Sequence, residues 1–173
     1  MVTKGKHNIV LGVSQRLGVT LRTAVMHDLH ELRQWKNTNR EFFFHTDEIS
    51  VYQQQAWFEA YQQRPLDFMF MVLVQEIAIG CMGIRLEDNA WDIYNVILGD
   101  VTFGKQGVMG SAFQEMLVYA ETLKPVPITL KVLKKNPAVD WYHKQGFVIT
   151  AESTDYYAMR FDKNHKSLNG KIT

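Results

Sequence analysis

Residues 128–147 read ITLKVLKKNPAVDWYHKQGF, and the order of elements in this stretch decides the architecture. Ile128–Leu133 reads as a strand, with Ile128, Leu130 and Val132 alternating against Thr129 and Lys131. A short helix is expected over Pro137–Lys144, and Asn136 is placed to cap it. Gly146 suits the position just past that helix. Phe147 then starts a core strand over Gly146–Ala151, and a last strand is expected over Tyr156–Phe161. A strand that alternates with helices and returns to strands belongs to an open sheet covered by helices.

Upstream, Gly104-Lys105-Gln106-Gly107-Val108-Met109-Gly110-Ser111-Ala112 follows a strand and opens a helix. That helix, Val108–Leu123, carries a stripe of Met109, Ala112, Phe113, Met116, Leu117 and Ala120. Pro125 and Pro127 end it. Three strand candidates precede it: Asp67–Val74, Ile77–Leu86 and Trp91–Leu98. Tight turns at Gln75-Glu76 and Asp88-Asn89 join them. Earlier still come a strand at Val19–Thr23, a helix at His27–Lys36, and a helix at Val51–Gln62 capped by Ser50. The order β-α-α-β-β-β-α-β-α-β-β predicts a mixed α/β fold. Its twisted sheet should have six or seven strands and about four flanking helices.

The 173 residues are 46% hydrophobic and 21% charged, a composition of one folded domain. We divide the chain into an N-terminal extension (1–18), the domain (19–162) and a polar, flexible tail (163–173). A net charge of +1 gives no footing for general nucleic-acid or membrane-surface binding. The single cysteine, Cys81, excludes a disulfide framework and a cysteine zinc cluster. Within the apolar run Ile77–Ile84 it reads as a small buried hydrophobe. His27 and His30 lack a companion carboxylate or cysteine, so no metal site is expected. Ile9–Val13 is too short for a leader, and no apolar run approaches the ~18 residues of a span. A soluble, cytoplasmic protein is expected.

The glycine turn can bring backbone amides close to an anion. Glycines permit the approach, and the first N–H groups of a helix are unpaired and favour phosphate. Lys105 adds charge. It is no nucleotide P-loop, because no Gly-Lys-Ser/Thr closes it. A plain strand-to-helix turn explains the same residues, just as a cap explains Asn136 and a core aromatic explains Tyr142.

Taken together, the two segments resemble the GNAT family of N-acetyltransferases. The family's turn is Arg/Gln-x-x-Gly-x-Gly/Ala. Gly107 takes its first glycine slot, Gly104 stands at the Arg/Gln position, Met109 at the small-residue position, and Gly110 falls one place late. Asn136, Ala138, Tyr142, Gly146 and Phe147 match the second motif, and the resemblance runs from Val19 to Phe161. It implies acetyl-CoA as the cofactor, with the amides of Lys105, Gln106, Gly107, Val108, Met109 and Gly110 on its pyrophosphate. The strand edge at Ile97 and Leu98 would bond the pantetheine arm, and Asn136 would contact the cofactor near the thioester. Tyr142 would protonate the leaving CoA thiolate after direct attack by a free amine. For the base the resemblance points to a central-strand carboxylate or a water held near it. Asp92 lies near that position, Tyr94 shares its face, and Glu87 is an alternative. Asp92 also reads as a solvated acid at a strand start.

The acceptor is a small-molecule amine on this resemblance. Leu32-Arg33-Gln34-Trp35-Lys36-Asn37, Arg40, Ile49-Ser50 and Gln55-Ala56-Trp57-Phe58 resemble the branch that acetylates nucleotide-linked amino sugars. Lys36 replaces that branch's arginine, and its histidine is missing. Ribosomal-protein N-terminal acetyltransferases share much of this layout and are the second reading. A non-catalytic CoA-binding domain is the third, and it would have no use for Tyr142. In Phe42-Phe43-Phe44-His45 and onward, Phe44, His45 and Asp47 are the candidate acceptor contacts. The aromatic residues equally suit a loop packed under the first helices. A homodimer is compatible with this layout.

Overall fold

The computed structural model describes residues 8–15 and 17–164. Its strands are β1 (Val10–Ser14), β2 (Val19–Thr23), β3 (Asp67–Val74), β4 (Ile77–Glu87), β5 (Ala90–Leu98), β6 (Ile128–Leu133), β7 (Phe147–Glu152) and β8 (Tyr156–Phe161). The helices are α1 (Leu29–Thr38), α2 (Val51–Gln62), α3 (Val108–Leu123) and α4 (Ala138–Lys144). One mixed sheet runs β1-β2-β3-β4-β5-β6-β8-β7, and only β5 and β6 are parallel.

The sheet has eight strands, where the sequence predicted six or seven. The addition is β1, from the segment assigned to an extension. Val10 pairs with Arg22 and Leu11 with Leu21. An apolar stretch too short for a leader is long enough for an edge strand. Of the expected tail, Lys163 and Asn164 are described. Residues 165–173 lie outside the described part, as do 1–7. No described helix is long and apolar enough to cross a membrane.

The first helix starts later than its periodicity suggests. A single 3₁₀ turn, Met26–Asp28, leads into α1. Asp28 Oδ2 accepts from Val25 N at 2.7 Å, and the same carboxylate takes two Arg22 guanidinium nitrogens at 2.6 and 2.8 Å. Asp28 is buried while Arg22 is partly exposed. Asp28→Ala is therefore expected to cost ~1–3 kcal/mol, less than a fully buried pair would. Urea unfolding measures it.

β3 shows why one stretch is apolar throughout. Phe68, Phe70 and Val72 face α3 and α4, packed with Phe113 and Met116. Met69, Met71 and Leu73 face α1 and α2, packed with Leu32, Phe58 and Tyr61. A strand covered on both faces needs no polar alternation. The predicted turns are two-residue hairpins with both central φ angles positive, 49° and 68° at Gln75-Glu76 and 48° and 59° at Asp88-Asn89.

β5 and β6 pair only at Trp91–Ile128, Asp92–Thr129 and Ile93–Leu130, and then part. Beyond this point β5 carries a bulge. Gly83 opposes Tyr94 and Cys81 opposes Ile97, so Asn95 and Val96 share the place opposite Met82. Asn95 has φ 48°. The extra residue reverses the alternation, as a bulge must. Ile93 and Val96 both pack on the α3 side, while Tyr94 and Ile97 both pack on the α1–α2 side.

Candidate active site

The parting of β5 and β6 opens a cleft of about 810 Å³. Tyr94 to Ile97 line it from β5, and Lys131 to Leu133 from β6. Lys36 and the 42–45 loop close over it, and Asn136 and Tyr142 border its far side.

Past the end of β5, Gly99 N and Asp100 N both donate to Ile79 O, at 2.8 and 2.9 Å. Alternation then turns the backbone of Ile97 toward β4 as well, and that of Val96 and Leu98 toward the gap left by β6. The open edge is thus offered by Leu98 and by Val96. Ile97 contributes only its side chain to the cleft, because its amide belongs to the ladder.

The chain then makes a 3₁₀ turn at Val101–Phe103 and passes through Gly104–Gly107 into α3. Lys105 has φ 61° and Gly107 φ 75°. Gly107 O accepts the first α3 bond, from Ser111 N at 3.0 Å. The amides of Val108, Met109 and Gly110 precede that bond and have no helical acceptor. A Cβ on Gly107 would meet nothing within 4 Å, so the space before these amides is open. Lys105 and Gln106 are exposed beside it. Gly110 has a different job, since a Cβ there would stand 3.1 Å from Gln145 Nε2. It lets the end of α4 pack on α3, where Gln145 also accepts from Gln114. Met109 packs its sulfur over Gly80.

Tyr142 combines two expectations. Its ring is buried, with Trp141, Phe113 and Phe147 centred 5.2, 6.0 and 6.1 Å away. The residue nevertheless lines the cleft, and its hydroxyl is not among the sealed polar atoms that lack a partner. Burial pushes the phenol well above its ordinary value, so it stays protonated. Asn136 lines the cleft and also holds two backbone groups. Its Oδ1 accepts from Ala138 N at 2.9 Å and its Nδ2 donates to Phe42 O at 3.3 Å. These two bonds cap α4 and pin the 42–45 loop.

The anticipated base is also engaged. Asp92 Oδ2 lies 3.1 Å from Arg85 Nε and 3.0 Å from Arg85 Nη2. Burial raises its pKa, and Arg85 opposes the shift. Glu87 holds the same arginine at 3.0 Å. Tyr94 does share the face of Asp92, but its hydroxyl donates to buried Asp67, which also pairs with Arg64. Its ring lies flat on Gly83, where a Cβ would stand 2.6 Å from it. Tyr94 is a wall of the cleft, with its proton turned away.

These features can be set against known proteins. The family model described as the acetyltransferase (GNAT) domain matches residues 18–148. The chain belongs to the GNAT acetyltransferase family. It is an acetyl-CoA-dependent N-acetyltransferase, and acetyl-CoA is its co-substrate. No curated protein sequence matches it. Among solved structures, spermidine N-acetyltransferase from Vibrio cholerae, in complex with CoA and spermine, has a TM-score of 0.73 at 20% identity, over 87% of this chain and 98% of that one. The Salmonella typhimurium enzyme that modifies the N-terminal serine of ribosomal protein L7/L12 has a TM-score of 0.69 at 17% identity, over 88% and 96%. The N-acetyltransferase PaiA from Thermoplasma acidophilum, with coenzyme A, has a TM-score of 0.63 at 13% identity, over 83% and 98%.

The donor half of this GNAT acetyltransferase suits acetyl-CoA: open amides for phosphate, a free strand edge for an amide-bearing arm, and a protonated phenol at the cleft. Of the residues expected to contact the acceptor, Phe44 is half-exposed and edge-on to Tyr156 at 5.5 Å, and His45 lines the cleft. Asp47 is exposed and does not line the cleft, so the structure does not join it to the other two.

Two residues of the front motif have roles that the sequence reading did not assign. Asn37 clamps the backbone of Ile49, accepting from its N–H at 2.8 Å and donating to its carbonyl at 3.0 Å. This fixes the start of α2, where Ser50 caps as predicted. Lys36 reaches into the cleft. Its Nζ is 2.5 Å from Asn95 Oδ1 and 3.1 Å from the centre of the Phe43 ring, and burial pulls it down to about 7. A signal existed, since Lys36 stands four residues after Leu32 and beside Trp35, near the apolar stripe of α1.

Proposed function

We propose that the acceptor is a nucleotide-linked amino sugar. The observation that carries this reading is a second cavity, of about 570 Å³, beside the cleft and sharing Phe43, Phe44 and Leu133 with it. Tyr156, Lys134, Lys135, Thr46, Thr154 and Asp155 complete its wall, so its charged lining is two lysines against one carboxylate. Aromatic faces suit a sugar or a nucleobase, and lysine ammoniums suit a diphosphate. Lys134 is shared with Glu152 at 2.5 Å, which leaves the exposed Lys135 as the phosphate contact. A polycation would meet two lysines in this cavity against the single carboxylate of Asp155.

In this reading the sugar amine enters the cleft from the 42–45 loop and meets the thioester at the β5 bulge. Val96 and Leu98 hold the pantetheine arm by their backbone groups, and the amides of Val108 to Gly110 hold the pyrophosphate. Tyr142 gives its proton to the departing sulfur.

CoA release from acetyl-CoA tests the acceptor, with UDP-linked amino sugars, the same sugars without nucleotide, spermidine and a serine-terminated peptide. The UDP-linked sugars should exceed the others in kcat/KM by on the order of 10²-fold. Lys135→Glu should narrow that gap. A preference for spermidine or the peptide overturns the reading.

A further inference from the structure

We propose that Lys36 is the general base that removes a proton from the acceptor ammonium. The inference concerns any amine acceptor and does not rest on the amino-sugar reading.

Its ground is placement. Lys36 lines the cleft, and its Nζ contacts Asn95, the bulge residue two places beyond the last β5–β6 pair. An amine at this point lies beside the opening through which acetyl donor and acceptor must meet. Phe43 covers one side of the ammonium. No described carboxylate forms an ion pair with it, and the other group acting on its charge is the buried Cys81 thiol of β4. That thiol is itself pushed up to about 12 and stays neutral. The remaining ionisable groups lining the cleft are Arg85, held by Asp92 and Glu87, Asp88 at the β4–β5 turn, Lys131 of β6, His45 of the loop, and the phenols of Tyr94 and Tyr142. A cation without a counter-ion, partly removed from water, favours its neutral form. A lysine brought down to about 7 suits proton transfer at neutral pH. Asp92, the carboxylate expected for this work, is occupied by Arg85.

The protons balance as follows. The acceptor ammonium gives one proton to the neutral Lys36 amine. The freed nitrogen lone pair forms the new N–C bond at the thioester carbonyl, and the adduct nitrogen loses its second proton to solvent. The C–S bond then breaks with its electron pair on sulfur, which takes the Tyr142 proton. Solvent reprotonates Tyr142 and collects the proton from Lys36, so one proton is released per acetyl group.

Two measurements on the full chain decide the matter. The first is an NMR titration with isotopically labelled lysine, in which the Lys36 signal is the one lost in Lys36→Arg. A midpoint near neutrality is required, and a midpoint at the ordinary lysine value of about 10.4 overturns the proposal. The second is kinetics of wild type, Lys36→Met and Lys36→Arg with two acceptors. One is a UDP-linked amino sugar, and the other is hydroxylamine, which is already largely neutral at neutral pH. With a cationic sugar amine, both variants should fall by at least about 10²-fold and recover as alkaline pH deprotonates the acceptor. Hydroxylamine transfer should change by less than about threefold, a control for fold and donor binding. Full activity in Lys36→Arg would assign a charge-stabilising role instead and overturn the base. So would equal losses on both acceptors. If wild type ignores the sugar, the acceptor reading fails by itself, and the titration still decides the base.

Discussion

Tyr142→Phe should lose at least tenfold in turnover, toward the ~10²–10⁴-fold range of general acid catalysis, while it folds and binds acetyl-CoA normally. The ring is what packs: Phe113, Trp141 and Phe147 surround it, and phenylalanine keeps those contacts. Only the hydroxyl disappears, and it contributes at most ~1 kcal/mol to stability. The leaving CoA thiolate has a pKa near that of a free thiol, ~8.5, so it departs tolerably unaided and the loss stays below the upper end of the range. The pH dependence follows from burial. An acid must be protonated to act, and burial raises this phenol, so Tyr142 should impose no alkaline decline below about pH 10. A steady-state assay of the variant separates the roles. Normal turnover with a small stability change would make Tyr142 a core residue alone.

Legibility in the sequence tracked how local each feature was. Turns, caps and strand runs depend on a few neighbouring residues, and Asp88-Asn89, Ser50 and Gly146 were each readable. The pairing of Arg85 with Asp92 was readable in principle. A two-residue turn at 88–89 fixes the hairpin register, and that register places these residues opposite each other. The bulge at Asn95 was not, because a left-handed asparagine leaves no mark on the alternation before it. Alternation read straight through Asn95 therefore carried the wrong phase at Ile97, which pairs with Cys81 of β4, whereas the free edge is offered by Val96 and Leu98. Lys36 escaped for another reason. A lysine on a helix reads as solvated, and only the loop that folds Phe43 over it removes the water. β1 escaped because five residues of weak alternation become a strand only when Arg22 and Leu21 supply the partner edge.

Gly107→Trp should weaken acetyl-CoA binding by at least about 10²-fold, the largest binding effect expected of a single residue here. Two terms add. The backbone at Gly107 has φ 75°, and holding a side-chain-bearing residue there costs ~1–3 kcal/mol. The turn would relax and take the first α3 amides with it. Each hydrogen bond lost to a charged phosphate oxygen is worth ~1.5–3 kcal/mol, so losing one gives ~10- to 150-fold and losing two reaches the stated factor. The new side chain has room in the free protein, since nothing lies within 4 Å of its Cβ. The chain should therefore fold, with the indole standing where the pyrophosphate has to approach. Calorimetry with acetyl-CoA measures the loss, and acetyl-pantetheine supplies the control because it carries no pyrophosphate. Its kcat/KM should be nearly the same for both proteins. An unchanged acetyl-CoA affinity would move the phosphate site away from α3, and an equal loss on acetyl-pantetheine would mean that the tryptophan disturbs the cleft itself.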